Sequence, residues 1–160
     1  MNDSECQEAV FALLADSATH GGAAVTRIDT HAASVFLAGD RALKVKRAVR
    51  FPFLDYSTLA KRKSACEAEV RINRSFAPEI YRRVVAISRE ADGALELDGA
   101  GAAVEWAVEM RRFDENATLD RLAAAGKIDA ALSDALGRAV AAPSSLSAPS
   151  ASRVIATTRR

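Results

Sequence analysis

Apolar and polar residues alternate through the segment Ser34–Val49, which divides into two halves at Gly39-Asp40. Alternating apolar positions are typical of strands, and a glycine followed by an aspartate is favourable in a tight turn. We therefore expect two antiparallel strands joined by that turn. A short strand at Val25–Thr30 precedes them through the link His31–Ala33, so three consecutive strands are predicted to form a meander.

Apolar residues recur at helical spacing elsewhere in the chain. The longest helix is predicted from Thr58 to about Phe76, with Ser57 as its N-cap and Pro78 after its end. One side of this helix is expected to pack on the sheet, and it carries Leu59, Cys66, Val70 and Ala77. Shorter helices are predicted at Ser4–Asp16, from Asn116 or Thr118 to Ala125, and at Ile128–Ala141.

Two or three more strands are predicted after the long helix, from the segments Val84–Ser88, Ala94–Leu97 and Ala103–Arg112. One face of the last strand is expected to hold Val104, Trp106, Val108 and Met110. These elements predict an α+β fold, with a five-stranded antiparallel sheet, one long packed helix and then two shorter helices. The segment after Pro143 has no acidic residue and no apolar periodicity, which predicts a disordered tail over 143–160.

The strand after Gly39 carries a pattern that suits a nucleotide. Its period of two places Ala42, Lys44 and Lys46 on one face. A small side chain leaves room for a flat base, and a lysine ammonium is a point charge for phosphates. The simplest alternative is a lysine at a solvated strand edge.

A carboxylate on the long helix is the expected partner of Lys44. Glu67 and Glu69 lie roughly 200° apart around the helix axis, so only one of them faces the sheet. Glu69 falls within the apolar side, where a carboxylate needs a cationic partner. We therefore predict a pair between Lys44 and Glu69, with Lys46 as the rival lysine. The alternative for Glu69 is a boundary carboxylate that reaches water.

The end of the last predicted strand is a second candidate. The segment Val108–Phe113 enters a link to the next helix, so its backbone groups are placed to meet an adenine edge, with Met110 and Phe113 as apolar walls. A core strand with a solvated end is an equally good interpretation from spacing alone. His20 and His31 have no triad or metal partner in the sequence, and we interpret both as surface residues.

Composition narrows the functional classes. Hydrophobic residues make up 49% of the 160 residues and charged residues 27%, and the net charge of +1 favours neither a nucleic acid nor a membrane partner. The basic run Lys44–Arg50 lacks interleaved aromatic residues, so it is a weak nucleic-acid signal. No apolar run approaches the roughly 20 residues that span a bilayer, and the acidic N-terminus is unlike a secretory signal. Cys6 and Cys66 lack metal-ligand spacing, so reduced thiols and a cytoplasmic location are expected.

Several short segments occur in a characteristic order between Val25 and Ala142. They are Asp29–His31, Val35–Lys46, Phe53–Leu59, Glu69–Arg74, Ala77–Tyr81 and Val104–Phe113. In this order they resemble the N-terminal portion of the aminoglycoside-phosphotransferase-like, kinase-fold domain of bacterial proteins that fuse it to a C-terminal P-loop ATP-binding domain. The resemblance implies a kinase-type small lobe and hinge over 25–113, preceded by an N-terminal helix and link over 1–24.

The resemblance also implies roles for individual residues. Lys44 matches the strand lysine that holds the α- and β-phosphates of ATP, and Glu69 matches its helix partner. The hinge that borders the adenine would be Glu109–Arg111. The turn that covers the phosphates, His31–Ser34, has no glycine, so its backbone N–H groups and the Ser34 side chain would serve instead.

One departure from the family concerns the catalytic loop. That loop is a His-Gly-Asp segment, followed by an asparagine and a magnesium-binding aspartate, and no histidine occurs here after His31. The match ends near Ala142, so we interpret 114–142 as the first helices of an incomplete large lobe. The implied function is a truncated phosphotransferase domain that binds ATP weakly, encodes no magnesium site and transfers no phosphoryl group by itself. A shifted reading frame or an early stop in a longer gene is our hypothesis for its origin.

Two other functions stay open on the sequence. An incomplete core would expose Leu132, Leu136 and Val140, which favours a non-catalytic interaction module. Such a module would complete its fold with a protein partner or with the remainder of a longer chain. Nucleic-acid binding through Lys44–Arg50 is the third interpretation. We predict a nucleotide as the main partner and expect neither a nucleic acid nor a membrane.

Overall fold

The computed structural model describes residues 3–114 and 117–141. The strands within these residues are β1 (Val25–Asp29), β2 (Ala33–Ala38), β3 (Arg41–Lys46), β4 (Arg50–Phe51), β5 (Leu54–Asp55), β6 (Tyr81–Arg89), β7 (Leu95–Leu97) and β8 (Ala102–Arg111). The α-helices are α1 (Asp3–Ala15), α2 (Leu59–Asn73), α3 (Leu119–Ala124) and α4 (Ala130–Ala141). A short 3-10 helix, Ser17–His20, follows α1. The tail predicted to be disordered, 143–160, lies outside the described residues.

The fold is α+β, with a six-stranded antiparallel sheet that curls into a half-barrel. Its strand order is β1-β2-β3-β8-β6-β7, so the predicted meander of β1, β2 and β3 is confirmed. The expectation of five strands is wrong, because β7 pairs with β6 and extends the sheet at its edge. The turn before β7 contains Gly93 at a φ of 90°, a conformation that glycine adopts without strain. Strands β4 and β5 form a separate small hairpin.

The two faces of the sheet pack against different helices. Direct cross-strand partners share a face, and the β2–β3 register pairs Phe36 with Leu43 and Leu37 with Ala42. Phe36 and Leu43 lie on the side that packs against α1, and we call this side the α1 face. Its core contains Val10, Phe11, Leu14, Phe36, Leu43, Val45, Val85, Ile87 and Ala107. We call the other side the α2 face, and its core contains Leu37, Ala42, Cys66, Val70, Val108 and Met110.

The start of α2 differs from the prediction by one residue. Thr58 is the N-cap in place of Ser57, and its hydroxyl accepts a hydrogen bond from the N–H of Lys61 at 3.3 Å. The Ser57 hydroxyl instead donates to Asp55 at 2.6 Å.

The helix ends at Asn73, earlier than predicted. Its packing side is as expected at Cys66 and Val70, which both lie in the core of the α2 face. Ala77, which is predicted on the same side, lies beyond the end of the helix.

An irregularity in β8 moves one apolar residue to the other face. The β6–β8 register shifts between Ile87 and Ser88, so the ladder skips Val104. An extra residue of this kind interrupts the alternation of side chains. Val104 consequently packs against the core of the α1 face, whereas Trp106 packs against that of the α2 face. The prediction that these two residues share a face is therefore wrong.

A buried ionic network joins α1 and α2 to the sheet. Glu105 of β8 and Arg62 of α2 are almost wholly buried, and the Arg62 Nε lies 2.9 Å from both carboxylate oxygens. The Gln7 amide of α1 donates to Glu105 and to the carbonyl of Lys46, both at 2.8 Å. The Arg62 guanidinium also donates to the carbonyl of Tyr56 at 3.1 Å. Each buried charge is thus paired and hydrogen-bonded, which offsets its desolvation.

Helices α3 and α4 contain no buried residue. On α4, Leu132 and Leu136 are half-buried and Val140 is 85% exposed. Among the described helices none is long and apolar enough to cross a membrane. The cytoplasmic location stays a prediction.

We expect Arg62→Met to lower the free energy of unfolding by about 3–5 kcal/mol, because it leaves the buried Glu105 carboxylate without its cation. The double variant Arg62→Met/Glu105→Leu should lose less than the single variant, since no buried charge is left unpaired. Urea unfolding curves measure both values. A single-variant loss no larger than about 1 kcal/mol, the level of a surface ion pair, would contradict this role for Arg62.

Candidate functional site

Strand β3 and helix α2 bring two lysines and one glutamate together. Lys44 lies opposite Val35 on the α2 face, and Lys46 shares that face because alternate residues of a strand point to one side. The Lys44 Nζ lies 3.0 Å from the Glu69 Oε1, and the Lys46 Nζ donates to the Glu69 Oε2. The predicted contact between Lys44 and Glu69 is therefore present. Glu67 is exposed, as expected for the glutamate outside the packing side.

The two lysines differ in their surroundings. The side chain of Lys46 is 7% exposed, that of Glu69 12% and that of Lys44 30%. The Lys46 ammonium also lies 5.6 Å from the ring centroid of Tyr56, a distance typical of a cation–π contact. The sequence predicts Lys44 and Lys46 to be rivals, whereas both bind the same carboxylate. Only Lys44 has a substantial surface in contact with solvent.

The charge of this cluster follows from burial and from the lysines. Burial raises the pKa of Glu69, but the ammonium groups of Lys44 and Lys46 outweigh burial, and the resulting pKa lies below its ordinary value. Burial raises the pKa of the Tyr56 phenol and raises the pKa of the Cys66 thiol to about 12. At neutral pH, Glu69 is therefore charged while Tyr56 and Cys66 are neutral. Two ammonium groups and one carboxylate leave one surplus positive charge.

An apolar surface adjoins the lysines on the α2 face. Ala42 pairs directly with Met110 across the β3–β8 ladder, and Lys44 pairs with Val108. Ala42 and Met110 are predicted to lie beside a base, and the structure places them on the same face as Lys44. They are only 5% and 7% exposed, so a flat ligand has a small part of each to contact.

The structure does not bring Ser34 to this face. Ser34 pairs with Val45 on the α1 face and is fully buried. Its side chain therefore lies on the opposite side of the sheet from Lys44. The adjoining turn is closed by its own hydrogen bonds, because the Ala33 N–H donates to the Thr30 Oγ1 at 3.0 Å.

Glu109 and Arg111 also lie on the α1 side of β8. Glu109 pairs with Leu43, and its carboxylate lies 2.9 Å from the Nε of Arg83 and 3.4 Å from the Nε of Arg41. Arg111 pairs with Arg41 and is exposed. Of the predicted hinge residues, only Met110 therefore shares a face with Lys44.

The backbone of the predicted hinge is largely engaged within the protein. β8 is an interior strand, and Met110 lies between Ala42 of β3 and Tyr81 of β6. The N–H of Arg111 donates to the Ile80 carbonyl at 2.8 Å, and the N–H of Arg112 donates to the Asp40 carbonyl at 2.6 Å. A base that used either N–H would have to displace one of these hydrogen bonds.

An aromatic group that sequence reasoning did not select stands beside the β1–β2 turn. The Phe51 and Phe53 rings are stacked, with centroids 5.8 Å apart, and the His31 ring lies 6.0 Å from that of Phe51. Phe53 is 79% exposed. The pattern Phe51-Pro52-Phe53 was visible in the sequence, but it did not indicate which turn these rings would face.

The basic run Lys44–Arg50 does not form a continuous patch. Its first two lysines bind Glu69, and the Arg47 guanidinium donates to the Thr30 carbonyl at 3.0 Å. The Arg50 Nε lies 3.7 Å from Asp55. Over residues 3–114 and 117–141, no group of three or more His, Cys, Asp or Glu residues is placed to hold a metal ion.

Comparison with known proteins gives a distant and partial similarity. The chain is 35% identical over 98 residues to the uncharacterized protein Rv2004c of Mycobacterium tuberculosis (strain ATCC 25618 / H37Rv), and it matches the uncharacterized protein Mb2027c of Mycobacterium bovis (strain ATCC BAA-935 / AF2122/97) equally well. The match covers 61% of this chain and 18% of each relative, so the chain spans less than a fifth of the length of these curated relatives. No protein-family model matches the chain, and no solved structure matches it. The similarity therefore assigns no family.

We expect Glu69→Gln to destabilise the protein at neutral pH and to have little effect in acid. Because the folded-state pKa of Glu69 lies below its ordinary value of 4.5, the carboxylate stabilises the fold above that pH. This stabilisation is lost as the pH falls through the lowered, folded-state value. Urea unfolding of the unaltered chain and the variant, from neutral pH downwards, measures the difference between them. A stability difference between the two proteins that stays constant with pH would contradict this prediction. The matched control is Glu67→Gln, which changes an exposed glutamate of the same helix.

Proposed function

We propose that this chain is the small lobe of a kinase-type phosphotransferase and that it binds ATP through its phosphates. The observation that carries the proposal is Lys44, whose ammonium lies 3.0 Å from the Glu69 carboxylate while its side chain stays 30% exposed. In protein kinases a lysine on the third strand pairs with a helix glutamate and contacts the nucleotide phosphates. Lys44 likewise lies on the third strand, and Glu69 lies on the long helix that follows it.

The connectivity of the sheet supports this proposal. The meander of β1, β2 and β3 is followed by α2, which packs against β8 and β6. Strand β8 returns to lie beside β3, so the strand that leads out of the sheet neighbours the lysine strand. This arrangement suits a hinge between two lobes, because the exit strand then borders the strand that carries Lys44.

The charge of the cluster supports an anionic ligand. Lys44, Lys46 and Glu69 leave one surplus positive charge at neutral pH, and the lysine that reaches solvent is Lys44. A compact ammonium beside a partly apolar surface suits a polyphosphate joined to a flat base. Because Ala42 and Met110 are nearly buried, we expect the phosphates to contribute more to affinity than the base.

The finer assignment, an aminoglycoside-phosphotransferase-like domain, depends on the order of the sequence segments. Phosphoryl transfer requires positioned acceptor groups and metal ions that neutralise the developing charge. The His-Gly-Asp segment expected for that family is missing from this sequence, since no histidine follows His31. We therefore expect this chain by itself to bind ATP without transferring its terminal phosphoryl group.

ATP binding tests the proposal directly. Isothermal titration calorimetry should detect ATP binding to the unaltered chain, and Lys44→Met should weaken it by about tenfold or more, because a charge-assisted contact to phosphate is lost. Lys127→Met, which changes an exposed lysine between α3 and α4, is the matched control and should bind normally.

Two outcomes of this experiment would overturn the proposal. One is the absence of ATP binding to the unaltered, folded chain, and the other is equal binding by Lys44→Met. Incubation with labelled ATP, magnesium and an aminoglycoside should transfer no label. Measurable turnover that Lys44→Ala abolishes would contradict the expectation that this chain only binds ATP.

A second function, a non-catalytic interaction module, is favoured by α4. Leu132 and Leu136 lie one helical turn apart and are only half-buried, and Val140 is 85% exposed. An apolar helix side without a buried residue is typical of a surface that binds another protein. The occupant would be a partner or the remainder of a longer chain.

Size-exclusion chromatography with light scattering separates the two functions. A monomer that binds ATP supports the small-lobe proposal. A stable higher-order complex without ATP affinity supports the interaction module, and Leu136→Asp should then shift it towards the monomer, because a carboxylate is costly in an apolar contact. A complex unchanged by Leu136→Asp would contradict the role of α4.

A further inference from the structure

We infer that the two lysines of β3 have separate roles, with Lys46 as the internal counter-ion of Glu69 and Lys44 as the cation that meets a phosphate. In the protein-kinase arrangement one lysine both pairs with the helix glutamate and contacts the phosphates. The inference deepens the proposed function, and its second half rests on that function.

Burial separates the two lysines. The Lys46 side chain is 7% exposed, compared with 30% for Lys44, and both ammonium groups bind the same carboxylate. The centroid of the Tyr56 ring lies 5.6 Å from the Lys46 ammonium. The Gln7 amide donates a hydrogen bond to the Lys46 backbone carbonyl at 2.8 Å. Lys46 is therefore fixed on both its backbone and its side chain. An external ligand has far better access to Lys44.

The other titratable groups around Glu69 leave the charge balance of the cluster unchanged. Burial raises the pKa of Tyr56, of Tyr81 and of Cys66, so these three side chains are neutral at neutral pH. A further acid that acts on Cys66, Glu105, is already paired with Arg62 at 2.9 Å. The surplus positive charge of the cluster is therefore not cancelled by these neighbours.

Desolvation decides which lysine keeps the carboxylate. An ammonium that is removed from water requires a counter-ion, whereas one in contact with water is partly solvated. Pairing with Glu69 consequently stabilises the Lys46 ammonium more than it stabilises the Lys44 ammonium. When a phosphate approaches, Lys44 can turn towards it while Glu69 stays neutralised by Lys46.

This division predicts an indirect effect. If Lys46 is removed, Glu69 has only Lys44 as a partner, and the cluster loses its surplus charge. Phosphate affinity should then fall even though Lys46 does not touch the ligand. Removal of the Glu69 charge as well should free Lys44 again and restore the affinity.

Calorimetric titration with ATP tests this effect. We expect Lys46→Met to weaken binding by about tenfold and Lys46→Met/Glu69→Gln to recover most of the loss. Lys44→Met/Glu69→Gln, which has the same net charge, should not recover it. If Glu69 instead acts by orienting Lys44, the first double variant will bind no better than Lys46→Met, which would overturn the inference. Unchanged binding by Lys46→Met would overturn it as well.

A second measurement does not depend on the nucleotide. NMR titration of the Glu69 carboxyl should show its pKa rising more in Lys46→Met than in Lys44→Met. An equal or smaller rise in Lys46→Met would overturn the assignment of Lys46, even if ATP binds. Where Lys46→Met fails to fold, Lys46→Gln takes its place. Absence of ATP binding by the unaltered chain would overturn the proposed function and the phosphate role of Lys44, while the carboxyl titration still decides the role of Lys46.

Discussion

The contact of one carboxylate with two ammonium groups, between helix α2 and strand β3, is the constraint on which the proposed site depends. Glu69 is 12% exposed, so it must be paired, and Lys46 is more deeply enclosed still. Two ammonium groups and one carboxylate leave one positive charge without a counter-ion. That charge is most stable where water reaches it. The fold therefore holds a cation, Lys44, at the edge of an otherwise apolar surface.

A second ionic contact sits at the other end of the same helix. Arg62 and Glu105 neutralise each other without residual charge, and Gln7 connects them to α1. Between the two contacts, Cys66 and Val70 pack on the sheet. We interpret the balanced pair as the structural anchor of α2, whereas the unbalanced cluster is the end of the helix that holds the proposed site.

The same geometry limits how a nucleotide could bind. Ser34, Glu109 and Arg111 lie on the side of the sheet away from Lys44, and the N–H groups of Arg111 and Arg112 are already hydrogen-bonded. Recognition through phosphate charge is consistent with all of these contacts. Recognition of the base through the predicted hinge would require the protein to exchange hydrogen bonds that it already makes.

Local sequence determined the features that depend on periodicity alone. The alternation in Ser34–Lys46 and the apolar side of α2 predicted the meander, the face of Lys44 and the choice of Glu69 over Glu67, because strand and helix geometry orient neighbouring residues regardless of the rest of the chain. Arg62 lies within that apolar side, but its partner Glu105 is 43 positions away, and no local pattern joins them.

Tertiary structure decided the remaining features through the register between distant strands. Pairing of β2 with β3 assigned Ser34 to the α1 face, the irregularity opposite Ile87 moved Val104, and β7 became the sixth strand by joining β6. The enclosure of Lys46 but not of Lys44 has the same origin. Burial depends on which elements meet above a residue, and a sequence period specifies only the side on which that residue lies.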